Sequence, residues 1–237
     1  MTVVESGAVA GTLAATRILD ATHPAIRRLA GEERGAAGSD AAFVRAAHAR
    51  LARTLRPVYT LDDALPASAV LARGTGSCSQ RMAVLEAVCR AGGVPTRVRG
   101  LWMDGRFWYP RFRLARPFIP HRILLAWPQF LLDGAWTDFD ELYASMAQLA
   151  ADEPAGVYTN AGETLFEAVS HTPVDLLGKT RDCGAACAST SADLSRFVLA
   201  DAGLFDSRDA LFARHGLLLR TLRGRAFEAV FGGRKSA

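Results

Sequence analysis

Residues 74–100 read G-T-G-S-C-S-Q-R-M-A-V-L-E-A-V-C-R-A-G-G-V-P-T-R-V-R-G. The hydrophobic period changes within this stretch. Met82, Leu85, Ala87, Val88 and Cys89 recur at helical spacing. Ser77 is a good N-cap, so a helix is expected from Cys78 to about Ala91, ended by Gly92-Gly93. From Val94 to Trp102 the period is two, which is the pattern of a strand. A thiol is thereby put at the start of a helix, behind a loop holding Gly74 and Gly76. The thiolate is the reactive form, and a helix N-terminus favours it through the dipole and its free N–H groups. Those amides, with Gln80 added, could also hold an oxyanion during acyl transfer. The plainer alternative is a buried cysteine that happens to begin a helix.

Outward from this stretch the chain sorts into helices first and strands after. His23-Pro24 marks a turn or helix start, Gly31 to Ser39 reads as a linker, and Asp40 can cap a helix through Phe43, Val44, Ala47 and Leu51. Leu61 to Ala72 looks like a short helix interrupted at Pro66. Asp104-Gly105 is a hairpin signal, with Arg106 to Leu114 as the return strand. Arg122 to Leu132 is a strongly apolar strand, Asp133-Gly134 a second turn, and Ala135 to Asp140 the strand after it. Helices followed by an antiparallel meander give an α+β class. Asp193 to Ala202, Ser207 to Arg214 and Leu217 to Phe231 read as helices, so the division expected is a core over 1–150 and a mostly helical appendage over 151–237.

Composition narrows the function. Of 237 residues, half are hydrophobic and 22% charged, which is globular rather than disordered. The net charge of +4 is spread along the chain without an aromatic-studded basic stripe, so no nucleic-acid partner is expected. No apolar run approaches a membrane span, and no basic-then-apolar leader opens the chain. With only four cysteines, Cys78, Cys89, Cys183 and Cys187, a disulfide framework is not expected, and the setting read from this is reducing and cytoplasmic. Cys183 and Cys187 lack partners at zinc spacing; no metal or cofactor is expected.

The run from Gly74 to Gly100 resembles the core of the transglutaminase-like superfamily, a papain-type fold found in bacteria. Gly93-Val94-Pro95-Thr96-Arg97 fits that family's glycine-bounded entry into a strand. A second block, W-P-Q-F-L-L-D-G-A-W-T-D-F-D at 127–140, resembles its hairpin, in which a tryptophan is followed four residues later by an aspartate, here Trp136 and Asp140. The resemblance covers about Leu71 to Tyr143. It implies a central nucleophile helix packed on an antiparallel sheet, and a Cys-His-Asp triad that attacks a carboxamide, ester or thioester of a small-molecule or peptide substrate. Cys78 takes the nucleophile position and Asp140 the acid position, with Asp138 as rival.

The sequence departs from the family at the histidine. The position two residues before Trp127 is Leu125. The nearby histidine is His121, about 20 Å along the strand from Trp127 at roughly 3.3 Å per residue. His121 is the candidate base, His171 the outside candidate, and a triad with no histidine remains open. The functional expectation is amide formation or hydrolysis through a Cys78 thioester. The alternative is a non-catalytic module with an incomplete triad, and an arylamine N-acetyltransferase-like reading fits the Gly74–Ser77 loop poorly. Trp102, Phe107, Trp108, Tyr109 and Phe112 read as core packing or as one wall of an acyl cleft. One or two of Arg97, Arg99, Arg106, Arg111 and Arg113 could bind a carboxylate. His23, His48 and His215 read as surface or capping residues.

Overall fold

The computed structural model describes residues 9–112, 116–144, 158, 160–179 and 193–234. Cys183 and Cys187, and Arg113, lie outside them.

The chain opens with α1 (Pro24–Gly35), begun at His23-Pro24, and α2 (Asp40–Thr54). Ser39, not Asp40, caps α2, its hydroxyl accepting from the Ala42 amide. β1 (Arg56–Pro57) precedes α3 (Ala67–Arg73), which starts after Pro66 because proline suits the entry to a helix but not its interior. β2 (Thr75–Gly76) runs parallel to β1 and delivers the chain to α4 (Cys78–Ala91). The Ser77 side chain accepts from the Gln80 amide, while the Gln80 side chain accepts from the Ser77 amide. This reciprocal cap fixes where α4 begins.

α4 is the middle of the molecule. Every residue from Gln80 to Arg90 is buried, and α1, α2, α3 and the sheet pack around it. Three of those residues are charged. Each is tied to a distant segment, because a buried charge without partners is costly.

The sheet has the order β5-β4-β3-β6, all neighbours antiparallel, from β3 (Thr96–Asp104), β4 (Arg122–Leu132), β5 (Ala135–Asp138) and β6 (Val198–Phe205). The β4–β5 hairpin closes at Asp133-Gly134 with Leu132 opposite Ala135, the register expected from a two-residue turn.

Two expectations fail. Over its described part, Arg106 to Phe112, the expected return strand from Arg106 to Leu114 does not form. Asp104 accepts the Arg106 amide and starts a 3-10 turn over Gly105–Trp108, and the Gly105 amide then donates to the His121 carbonyl. A Cβ at Gly105 would overlap the Pro120 carbonyl, so the glycine serves a close approach rather than a tight hairpin. The partner of β3 is therefore β4, joined through residues 105–121. Second, Asp193 caps only one 3-10 turn, Ser195–Phe197, through the Ser195 amide, and the chain continues as β6. β6 pairs with β3, where Gly203 lies opposite Gly100. A Cβ at Gly100 would press on Leu211 of the next helix.

α5 (Leu165–Ala168), α6 (Arg208–His215) and α7 (Leu222–Phe231) complete the elements. Among the described residues no helix is long and apolar enough to cross a membrane.

Candidate active site

Cys78 is the first residue of α4, so its amide and that of Ser79 have no intrahelical acceptor. It lines a half-open cavity of about 130 Å³. The walls are mainly apolar: Val58, Phe107, Trp108, Ile123, Leu124 and Leu125 among them. A satellite core of Phe112, Ile119 and Phe227, backed by Tyr59 and Phe231, closes one side. The aromatic group read from sequence thus divides: Phe107, Trp108 and Phe112 line the cavity, while Trp102 packs against His215 on the sheet. α7 is held over the cavity by Glu228, whose carboxylate accepts from the Leu61 amide and the Thr60 hydroxyl, both at 2.7 Å.

Polar groups reach the same cavity at its edges. Asp63, Ser79 and Thr164 line it, as do Arg111, Tyr158 and Asn160. Asn160 is the hub of the last three: its Oδ1 accepts from Arg111 Nε at 2.6 Å and from the Tyr158 hydroxyl at 2.9 Å. Of the five arginines, Arg111 alone reaches the cavity among the described residues. Arg97 binds Gln129, and Arg99 and Arg106 bind Asp201 and Asp104.

The thiol is not held as a thiolate. Part of Cys78 is accessible, but that surface lies in a mainly apolar pocket, so the charged form is poorly solvated. Burial pushes its pKa to about 11, and the Glu167 carboxylate adds to the rise. The Arg81 and Arg111 charges and a hydrogen bond from the Phe166 backbone oppose this without overcoming it. The expectation of a lowered pKa weighed the helix terminus and left out the apolar wall and Glu167. Gln80 also departs from expectation. Its amide is committed to the Ser77 cap and to the Asp62 carbonyl, at 2.8 Å, so it does not face an oxyanion.

No histidine lines the cavity. His121 is exposed at the entry to β4, with its carbonyl on Gly105. His171 is exposed and pairs with Glu163 at 2.8 Å. His48 is buried, contrary to its reading as a surface residue, and its nitrogens meet the Tyr143 hydroxyl at 2.7 Å and the Phe166 carbonyl at 2.6 Å. Burial pushes it down to about 4, so the ring is neutral and braces the Phe166 backbone, which in turn contacts the sulfur. Its place between Val44, Ala47 and Leu51 on one helical face was the available signal.

Asp140 is buried beside the β4–β5 hairpin, where Oδ1 accepts from Trp127 Nε1 at 3.3 Å and Oδ2 lies 3.6 Å from Lys179. Asp138 is bonded instead to Gln129 and Lys179, both at 2.6 Å. Burial pushes Asp140 up to about 7; Lys179 pulls it down, and Asp138 and Glu141 push it up.

The sequence of residues 27–141 matches the transglutaminase-like superfamily. These residues form a transglutaminase-like core. Two solved structures share features with it. One is a candidate cysteine protease from Cytophaga hutchinsonii, 16% identical, with a TM-score of 0.41 over 53% of this chain and 39% of that one. The other is a candidate protease from Parabacteroides distasonis, 14% identical, with a TM-score of 0.37 over 52% and 24%. The chain therefore spans well under half the length of either. No curated protein matches it.

In this transglutaminase-like core the position expected to hold histidine is Leu125, and Leu125 contributes to the wall of the Cys78 cavity. The cavity that holds the thiol thus has an aliphatic side chain at that position. Asp140 keeps a hydrogen bond to Trp127 and an ionic neighbour in Lys179, with no imidazole to orient.

Proposed function

We propose that this chain is a cysteine-dependent acyltransferase or amide hydrolase in which Cys78 carries the acyl group as a thioester. A transglutaminase-like core is a scaffold for cysteine-dependent acyl transfer or hydrolysis in general. The observation that supports the specific reading is the place of Cys78: at the start of α4, lining a half-open, mainly apolar cavity that also carries polar groups. The sulfur attacks the carbonyl of the donor. The C–S bond forms as the leaving amine, alcohol or thiol departs with a proton, and the amides of the first turn face the developing oxyanion.

The cavity sets the scale of the acyl group. A volume of about 130 Å³ is close to the roughly 150 Å³ that admits a benzene ring. A small molecule with a short acyl chain fits whole, and a peptide would insert one side chain. His121 faces solvent and has no part in this scheme.

The test is a covalent one. Incubation with a butyryl thioester is expected to add a butyryl mass to the Cys78 peptide and to no peptide of Cys78→Ala. A second reading has its own support: Leu125 in the histidine position and the raised thiol pKa suit a non-catalytic binding module. Butyrate derivatives that bind while thioester, ester and amide donors all leave Cys78 unmodified would decide for that module.

A further inference from the structure

The cavity holds a second ionisable group that the scheme above does not use. Asp63 lies in the loop between β1 and α3, and that loop is fastened to the start of α4, where Gln80 Nε2 donates to the Asp62 carbonyl at 2.8 Å. Ser79, adjacent to Cys78 in sequence, hydrogen-bonds the Asp63 carboxylate and is itself held by Arg208 Nη1 at 3.0 Å. Asp63, Ser79 and Cys78 line the same cavity. Asp63 Oδ1 is shut off from solvent and has no hydrogen-bond partner. A carboxylate oxygen in that state costs free energy until a donor arrives. Its other carboxylate oxygen is not shut off in this way and is the one that a water or amine beside an acylated Cys78 would meet, in a cavity that offers no imidazole to take its proton.

We propose that Asp63 is the general base that resolves the Cys78 thioester, accepting a proton from the water or amine that attacks it. This rests on the thioester reading of Cys78. As the new C–O or C–N bond forms, the accessible oxygen of the Asp63 carboxylate takes the proton of the nucleophile. The C–S bond then breaks, and the sulfur leaves as the thiol with the proton returned from Asp63. Water yields the carboxylic acid and an amine yields the amide; Asp63 ends as it began. Its environment suits the task. Burial pushes it up to about 6, opposed by the Ser79 hydrogen bond and the Arg208 charge and reinforced by Asp62 and Glu228. It is then ionised at pH 7 yet more basic than an exposed carboxylate.

The experiment uses p-nitrophenyl butyrate as acyl donor to the full chain. Wild-type protein is expected to release a burst of one nitrophenolate per Cys78, then turn over steadily. Asp63→Asn keeps the burst and loses about 100-fold of the steady rate, because general-base catalysis contributes ~10²–10⁴. Equal steady rates in D63N and wild type overturn the role of Asp63 alone. Absence of a burst, with Cys78→Ala as active as wild type, overturns the thioester reading and this one together. Ser79→Ala keeps Asp63 in place and removes the hydrogen bond that lowers its pKa. The pH midpoint of its steady rate is expected to move up from about 6; an unmoved midpoint overturns the proposal even if D63N does not fold.

Discussion

Alkylation of Cys78 as pH is raised measures how far burial outweighs the field of the helix terminus. Burial and Glu167 raise the thiol from its ordinary 9.0 to about 11. At pH 8 the thiolate fraction then falls from roughly one in ten to roughly one in a thousand, a ~100-fold loss. A more basic thiolate is also a better nucleophile, with a Brønsted coefficient near 0.4–0.5, which returns a factor of roughly 6–10. Native Cys78 should therefore react with iodoacetamide about 10-fold more slowly than the same cysteine in the urea-unfolded chain at pH 8. Its rate should keep rising about tenfold per pH unit past pH 10. The assay is peptide mass spectrometry over a pH series, with Cys78 read separately from Cys89. Glu167→Gln removes the second largest cause of the rise, so its profile should shift to lower pH. A wild-type rate that levels off below pH 8 would refute the argument, since the helix terminus and Arg81 would then dominate.

Three further outcomes follow from buried groups. Arg208→Ala leaves Glu86 in the core without its partner, now at 2.6 Å, and should cost about 3–5 kcal/mol in urea denaturation; a loss below 1 kcal/mol would mean that water reaches the site. Asp140 is raised from 3.8 to about 7 in the folded chain, so the native state favours its protonated form. Wild-type stability then falls as pH climbs through that window. Asp140→Asn keeps an acceptor for Trp127 and cannot ionise, so its melting temperature relative to wild type should rise from pH 4 to pH 7; a flat difference would contradict the assignment. Glu228→Ala removes the acceptor of the Leu61 amide and the Thr60 hydroxyl. It should loosen α7 and speed Cys78 alkylation, whereas an unchanged rate would mean that access does not run past α7.

Much of the fold is legible in local pattern. The apolar period of α4, the Ser77 cap and the Asp133-Gly134 turn each act within a few residues, and the structure has them at the positions read. Where distant partners decide, sequence is silent. The segment from Val198 to Phe205 lacks a clean period-two alternation because it is an edge strand with mostly half-exposed residues, so its pairing with β3 carries no local mark. Asp104-Gly105 looks like a hairpin turn, yet the apolar weight of Phe107, Phe112 and Ile119 draws the following residues over the cavity. At the site, the place of Cys78 at the start of α4 could be read directly. The thiol pKa could not, because Glu167 and Phe166 approach from far along the chain. The Thr164–Glu167 capping box was a readable sign of α5, but not of its contact with Arg81.

The charges inside α4 also bear on where the folding unit ends. Glu86 is neutralised by Arg208 and Arg81 by Glu167, while Arg90 donates to carbonyls that include that of Asp206. All three partners lie beyond residue 141, where the family likeness stops. A fragment cut at that border would leave Glu86 and Arg81 stranded in hydrocarbon and would take one acceptor from Arg90, which keeps Ala14 and Thr96. The limits of the segment that matches the family and the limits of what can stand alone are therefore different in this chain.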